Sequence, residues 1–266
     1  MYEQYWGLKE RPFENTPDPK YFFKSRQHEE GLNRMLYVIR EGKGAGMLTG
    51  VYGCGKTLLS RAIMRELEQD IYKLALLTNP RLDDIEMLRM VMYSLGGIEP
   101  PTRKADVLIG LERILKNNAA DGKKTIILID EAHVIDDKNI FEELRLLLNF
   151  QSEDKFLLTL LLLGQPELKE KVENIKQLNQ RIAMRFHLDA LNREETTAYI
   201  IHRLQIAGAR EGLFSADAMQ IVFERSGGIP RRINQICDSA LLTGYGKDAN
   251  IIDAETVKEA IQSLSL

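Results

Sequence analysis

A glycine-rich stretch of eight residues constrains this chain more than any other feature of its sequence. Residues 50–57 read Gly-Val-Tyr-Gly-Cys-Gly-Lys-Thr and match the pattern G-x-x-x-x-G-K-[ST]. The apolar run 45–49 before it predicts a short buried strand, and residues 56–68 after it predict a helix. Glycines between a strand and a helix let backbone N–H groups turn inward around a phosphate, at the positive end of the helix. The stretch therefore predicts a phosphate-binding loop.

The chemistry of this loop assigns a role to its last two residues. We expect Lys56 to reach the β- and γ-phosphates of a nucleotide and Thr57 to hold Mg²⁺. Cys54 is interpreted as a small residue that fits the loop, or alternatively as a reactive thiol, because helix N-termini lower thiol pKa values. The residues expected to bind the nucleotide here are Gly50, Tyr52, Gly53, Cys54, Gly55, Lys56, Thr57 and Leu58.

A second motif combines an apolar strand with a pair of acids. Residues 125–129 are Thr-Ile-Ile-Leu-Ile, which is typical of a central parallel strand, and Asp130 and Glu131 follow directly. Such a strand delivers its carboxylates to the edge of the sheet where ligands bind. Asp130 is expected to ligate Mg²⁺ through water, and Glu131 to polarise an attacking water. His133 has either a structural role or a role in coupling the nucleotide to a partner.

Gln165 is a candidate catalytic residue because of its place at a strand end. It follows the apolar run 157–163 and Gly164. A polar side chain there could orient the catalytic water between the two motifs. The alternative is an ordinary turn residue before Pro166.

Three arginines are candidates for stabilising charge on the phosphates. Arg181 and Arg185 lie four residues apart, and either could act on a neighbouring subunit, although surface salt bridges are the alternative. Arg231 follows Gly-Gly-Ile-Pro at the start of a predicted helix. It is expected to contact the γ-phosphate, unless it is plain charge on a helix surface.

The order of predicted elements indicates the fold class. Strands alternate with helices up to about residue 191, which predicts an α/β three-layer core with a parallel sheet. The five predicted strands are 45–49, 72–78, 125–129, 156–163 and 183–188. After residue 191 only helices are predicted, and they form a small all-α lid at 193–207, 216–226, 231–244 and 254–263.

The first 24 residues have an unusual composition. They hold seven aromatic residues, and the prolines at positions 12, 17 and 19 exclude a continuous helix. We predict an extended apron that either covers an edge of the core or lines an adenine pocket. The predicted domains are therefore the apron at 1–24, a nucleotide-binding core at 25–191 and the helical lid at 192–266.

Composition and charge narrow the setting in which the chain works. The 36 Lys and Arg residues against 39 Asp and Glu give a net charge of −3, which does not favour nucleic acid as a partner. The two cysteines, Cys54 and Cys237, make no disulfide framework and indicate a reducing compartment. The run 156–163 is too short to span a bilayer, and the N-terminus does not have the pattern of a signal peptide. We expect a cytoplasmic protein, which would associate with the inner membrane only through its partners.

The motifs stand in the order found in AAA+ ATPases, and the chain resembles that family over nearly its whole length. The resemblance implies a P-loop NTPase fold that binds ATP and Mg²⁺ and hydrolyses ATP. It implies Lys56 and Thr57 as Walker A, Asp130 and Glu131 as Walker B, and Gln165 as sensor 1. Arg181 then corresponds to the trans-acting arginine finger and Arg231 to sensor 2, which predicts an ATP-dependent homo-oligomer.

A narrower resemblance rests on four segments. Residues 5–13 (YWGLKERPF), 16–19 (TPDP), 130–133 (DEAH) and 164–168 (GQPEL) are similar to the general secretion pathway protein A family. That resemblance implies an ATPase that helps to assemble type II secretion or pilus machinery. Longer members add a membrane span and a peptidoglycan-binding domain, which these residues do not contain. The ATPase module also resembles the target-selecting ATPases of DNA transposition.

Three hypotheses for function follow. The first is an ATP-driven assembly or remodelling factor that acts on protein partners of a secretion or pilus apparatus. The second is a DNA-binding ATPase of the transposition type, which the net charge disfavours. The third is a nucleotide-binding switch with little turnover, which the presence of Glu131 disfavours.

Overall fold

Five strands build one parallel sheet in the computed structural model, which describes residues 1–152 and 155–264. The strand order is β2-β3-β6-β1-β7, and a separate two-stranded ribbon pairs β4 with β5. The strands are β1 (Ala45–Gly50), β2 (Tyr72–Leu77), β3 (Lys124–Ile129), β4 (Gln151–Ser152), β5 (Lys155–Phe156), β6 (Leu158–Gly164) and β7 (Ile182–Leu188). The five strands predicted from the sequence are thus the five of the sheet.

Both faces of the sheet are buried, as its continuous apolar strands predicted. Alternate side chains, such as Met47, Ile127 and Leu160, join a hydrophobic cluster with helices on one face. On the other face, a side chain at Gly46 would meet atoms of Met35 and Leu161 at 3.3 and 3.0 Å. Helices therefore pack on both sides, and the predicted three-layer core is confirmed.

Twelve α-helices are described. The first eight are α1 (Tyr2–Trp6), α2 (Arg26–Arg40), α3 (Lys56–Arg65), α4 (Asp84–Gly96), α5 (Lys104–Ala120), α6 (Lys138–Leu147), α7 (Glu167–Glu173) and α8 (Lys176–Arg181). The last four are α9 (Arg193–Ile206), α10 (Ala216–Ser226), α11 (Pro230–Gly246) and α12 (Ala254–Ser263), which confirm the helical lid. In the part of the chain that the structure describes, no helix is long and apolar enough to cross a membrane.

The chain divides into two compact units that do not follow chain order. The sheet unit comprises Glu29–Tyr52 and Leu59–Leu188. The lid unit comprises Met1–His28, Gly53–Leu58 and Asp189–Leu266. The phosphate loop from Gly53 onward therefore groups with the lid helices and the N-terminal segment.

The N-terminal segment is part of the lid unit's interior. Tyr2, Trp6 and Phe13 belong to the hydrophobic core formed by the lid helices, and the Trp6 indole N–H donates to the Leu241 carbonyl at 3.0 Å. The prediction of an extended apron covering an edge of the core was wrong for these side chains. These first residues form a short helix, α1, which lies well before the first proline. Gly7 ends the helix in the left-handed region at φ 67°.

Candidate nucleotide-binding site

The phosphate loop has a backbone that only glycine supports. Gly53 and Gly55 have φ values of 84° and 102°. A Cβ on Gly53 would lie 2.8 Å from the Cβ of Arg231, and one on Gly55 would lie 3.0 Å from Nε2 of His28. Positive φ and close neighbours both exclude a side chain, so the loop is built for backbone groups to approach a ligand.

The polar residues of the loop lie at the start of α3. Lys56 is the first residue of that helix and is buried, whereas Thr57 is half-buried. Gly50 ends β1, and Tyr52 is exposed. The positive end of α3, with Lys56 beside it, is suited to an anion.

Cys54 is a packed loop residue. Its side chain is fully buried, and burial raises the pKa of the Cys54 thiol. A thiol that stays protonated is a poor nucleophile. The structure therefore favours the interpretation of Cys54 as a small residue that fits the loop.

Arg231 lies beside the phosphate loop within the lid unit. Its backbone N–H donates to the Gly53 carbonyl at 3.2 Å, in the first turn of α11. Gly228, three residues earlier, has φ 72°, and a Cβ there would lie 1.9 Å from the Leu191 carbonyl oxygen. The Gly-Gly-Ile-Pro sequence before Arg231 thus allows a close backbone approach that fixes where α11 begins.

Aromatic residues form a small pocket next to the loop. Phe22 and Phe23 line it together with Leu58, Tyr199 and Pro230, all from the lid unit. The sequence offered an adenine pocket as one role for the N-terminal segment. Apolar and aromatic walls of this kind suit a planar base.

In the sheet unit, the acidic pair follows β3 as predicted. Asp130 is buried, and its Oδ1 accepts the backbone N–H of Glu131 at 2.9 Å. Glu131 has φ 54°, which is uncommon for a residue with a side chain. Such backbone strain is found mostly at functional sites, where the surrounding structure maintains it.

His133 lies between the acidic pair and Gln165. Its Nδ1 lies 3.4 Å from Oε2 of Glu131, and its Nε2 lies 2.9 Å from Nε2 of Gln165. In this orientation of the amide, the Gln165 nitrogen can only donate, so the ring Nε2 accepts. In the tautomer that fits this contact the other ring nitrogen, Nδ1, carries a proton; it lies near Glu131 but makes no hydrogen bond to the described residues.

Lys171 of α7 holds the same segment, and no motif of the sequence predicted this contact. Its ammonium donates to the carbonyls of His133 and Ile135 at 2.6 and 2.8 Å, and to Asp136 Oδ1 at 2.8 Å. The hydrogen bond from Lys171 lowers the pKa of the Asp136 carboxyl. Three acceptors that are distant in sequence leave no local pattern from which to predict such a contact.

Arg181 and Arg185 bind oxygens of their own unit. Arg181 donates to the Leu148 carbonyl at 2.7 Å and to Asn149 Oδ1 at 2.5 Å, at the end of α6. Arg185 donates to the backbone and side-chain oxygens of Asn179 at 2.8 and 2.6 Å. These partners are neutral, and each guanidinium would have to leave them to reach another subunit.

Comparison with known proteins identifies the family. Residues 39–172 match the model of the AAA domain family, which is half of the chain. The chain belongs to this family. This AAA chain is 37% identical over 256 residues to general secretion pathway protein A of Aeromonas hydrophila. That match covers 95% of the chain and 46% of the relative, so the chain spans about half the length of that protein.

Solved structures agree with the AAA fold. The ORC2 protein of Aeropyrum pernix, in its ADPNP-ADP complexes, superposes with a TM-score of 0.73 at 18% identity, covering 97% of this chain and 72% of that one. Drosophila ORC bound to DNA gives a TM-score of 0.74 at 17% identity, covering 97% and 65%. At this level of identity the likeness establishes the fold, including the predicted P-loop NTPase core, and no more.

Proposed function

We propose that this AAA chain binds Mg-ATP at residues 50–57 and hydrolyses it to ADP and phosphate. The observation that carries the proposal is the backbone of the phosphate loop. Gly53 and Gly55 have positive φ, each has a neighbour within 3.0 Å of the place of a Cβ, and Lys56 opens α3 directly afterwards. Sites that bind phosphate through backbone N–H groups at a helix N-terminus have this construction.

Thr57 and Asp130 are the proposed Mg²⁺ ligands. A hydroxyl and a carboxylate are oxygen ligands of the kind that Mg²⁺ takes, and Asp130 is held by the Glu131 N–H through one oxygen. The donor types therefore fit the ion. When bound, Mg²⁺ would neutralise charge on the phosphates.

Glu131 is the proposed general base. It takes a proton from the water whose oxygen attacks the γ-phosphorus, while the bond from that phosphorus to the bridging oxygen of ADP breaks. Nδ1 of His133 lies 3.4 Å from the Glu131 carboxylate, and Gln165 holds the other ring nitrogen. Gln165 is therefore proposed to position the ring beside the base, besides its proposed role in orienting the water.

The remaining roles concern recognition of the nucleotide. We assign the adenine ring of the nucleotide to the pocket lined by Phe22, Phe23, Leu58, Tyr199 and Pro230. Tyr52, exposed at the loop, is assigned to the nucleotide's outer side. Arg231, whose backbone lies against Gly53, is assigned to the γ-phosphate.

We further propose that ATP drives assembly or remodelling of an envelope complex of the secretion or pilus type. The similarity to general secretion pathway protein A of Aeromonas hydrophila over 95% of this chain supports it. Cys54 and Cys237 are free thiols, which suits a reducing compartment such as the cytoplasm. Partners captured with ATP on a Glu131→Gln variant, and released with ADP, should be components of such a complex.

Action on DNA is the second candidate function. Drosophila ORC, which shares the fold, is bound to DNA in its structure. Binding through phosphates would weaken steeply as salt rises, because each phosphate contact releases counterions. An ATP-dependent affinity for duplex DNA that falls steeply with salt would favour DNA over a secretion partner. The net charge of −3 favours the secretion partner.

The binding proposal is tested with a Lys56→Ala variant. Titration of the parent with Mg-ATP should saturate, and the variant should lose binding because the cation at the β- and γ-phosphates is gone. A Lys169→Ala variant, changed at an exposed lysine on α7, serves as the control. If Lys56→Ala bound ATP as well as the parent, the loop would not be the site.

A further inference from the structure

His28 is a buried histidine that contacts the phosphate loop and that no motif of the sequence points to. It lies in the first turn of α2 and is 6% exposed. One ring nitrogen, Nε2, lies 3.0 Å from the Cys54 carbonyl oxygen. The other, Nδ1, lies 2.7 Å from the hydroxyl of Ser25. All three residues belong to the lid unit.

The partners of His28 fix its tautomer. A carbonyl oxygen can only accept, so Nε2 carries a proton and donates it to Cys54. In the neutral ring Nδ1 is then an acceptor, and the Ser25 hydroxyl donates to it. The Ser25 oxygen also accepts the backbone N–H of His28 at 3.3 Å. Burial lowers the pKa of His28, so the neutral ring prevails at neutral pH.

The contact with Cys54 sets the direction of one loop peptide. The Cys54 carbonyl and the Gly55 N–H belong to the same planar unit, and in a trans peptide they point in opposite directions. Since His28 holds the carbonyl on its own side, the Gly55 N–H points away from His28. Gly55 approaches the ring closely, because a Cβ there would lie 3.0 Å from Nε2.

We propose that His28 is a positioning residue for nucleotide binding, which orients the Cys54–Gly55 peptide so that the Gly55 N–H faces the bound phosphates. The inference rests on the proposed function of the loop and deepens it. Ser25 holds the ring, the ring holds the carbonyl, and the peptide presents its donor before the ligand arrives. Preorganised donors strengthen binding because no ordering cost remains to be met.

His28 also connects the loop to the aromatic pocket. The Phe22 ring stands edge-to-face with it, with 6.0 Å between the ring centroids and an angle of 79° between the planes. Both residues line the same pocket as Gly55. The loop and the pocket would contact parts of the nucleotide that ATP and ADP share. Loss of His28 should therefore weaken the binding of both nucleotides alike and leave the chemical step unchanged.

Two substitutions of similar polarity separate positioning from packing. In His28→Gln the amide nitrogen takes the place of Nε2 and still donates to Cys54, whereas in His28→Asn the amide stops at the position of Nδ1. We expect Kd for both ATP and ADP to rise about fivefold in His28→Asn and to stay within about twofold of the parent in His28→Gln. The kcat of both variants should match that of the parent.

The measurement is competition against a fluorescent ADP analogue on the full chain, with thermal unfolding of each nucleotide-free variant recorded in parallel. Parental Kd values in His28→Asn would overturn the proposal. So would an equal loss in both variants that follows a fall in unfolding temperature, since that result assigns His28 to packing. If the parent itself bound no nucleotide, the proposed function would fail together with this inference.

Discussion

The lid unit and the sheet unit divide the candidate site by chemistry. The lid unit holds groups that would bind a nucleotide, namely the loop from Gly53 to Leu58, the aromatic pocket and Arg231. The sheet unit holds the groups that would act on water, namely Glu131 with His133 beside it and Gln165 bonded to His133. Binding and turnover should therefore be separable by mutation. Changes in the lid unit should raise Kd, and changes in the sheet unit should lower kcat.

We expect the greatest loss of turnover from the substitution of an arginine in the sheet unit. Arginine fingers in known enzymes contribute ~10³–10⁵ in rate, so Arg181→Ala should lose most turnover while it still binds ATP. Because such an arginine acts on a neighbour, turnover per subunit should rise with protein concentration. Mixing inactive Lys56→Ala and Arg181→Ala proteins should restore part of the activity, since an intact arginine can then face an intact loop.

The structure requires a control for this experiment, because Arg181 also caps α6. Asn149→Ala removes one intramolecular acceptor of the guanidinium but keeps the arginine. Its turnover should stay near that of the parent. Flat turnover over a wide concentration range, with no recovery on mixing, would contradict the trans-acting role of Arg181 and direct the same test to Arg185.

A stability change confined to the lid unit comes next. Gly228→Ala should destabilise this unit by about 4 kcal/mol or more, because its Cβ would lie 1.9 Å from a backbone oxygen. Gly227→Ala is the matched control, since Gly227 has φ 61° and nothing within 4 Å of a Cβ. It should cost only the strain of positive φ, about 1 kcal/mol. Denaturant unfolding of both variants measures the difference, and equal losses would contradict the close approach at Leu191.

A smaller effect is expected where His133 supports Glu131. His133→Ala should lower kcat about tenfold and leave Kd for ATP unchanged, because the carboxylate loses the polar ring 3.4 Å from it and not a phosphate contact. His133→Asn places an amide near the position of Nδ1 and should recover part of the rate. Steady-state kinetics alongside direct binding would test this. A rise in Kd without a fall in kcat would mean that His133 acts in nucleotide binding and does not support Glu131.

The sequence predicted those parts of the molecule that depend on residues close together in the chain. The five strands follow from apolar runs, and the phosphate loop follows from glycine spacing, because a buried parallel strand and a positive-φ turn each demand particular residues in place. Asp130 and Glu131 were predicted to follow a buried strand, and they come directly after β3. The lid helices were predicted from their periodicity, and capping residues such as Asn192 and Ser215 mark their starts.

Long-range contacts were beyond the sequence. His28 meets a backbone carbonyl 26 positions away, and a carbonyl acceptor has no residue signature. Trp6 donates to Leu241 across 235 positions, so its burial against the lid had no local pattern. Arg181 was predicted as a candidate for stabilising charge on the phosphates. Its partners at the end of α6 could not be predicted, because they depend on how α6 and α8 pack. Each miss is a contact whose two ends come from distant segments.

The proposed function assigns the chemistry to Glu131 and the binding of the nucleotide to the phosphate loop. The most direct test is a single-turnover experiment on Glu131→Gln, with the Kd for Mg-ATP measured in the same protein. The amide retains the shape of the side chain but cannot take a proton, so we expect parental Kd and a hydrolysis rate reduced by about 10²–10⁴. Hydrolysis near the parental rate would contradict the role of Glu131 and place the catalytic base elsewhere.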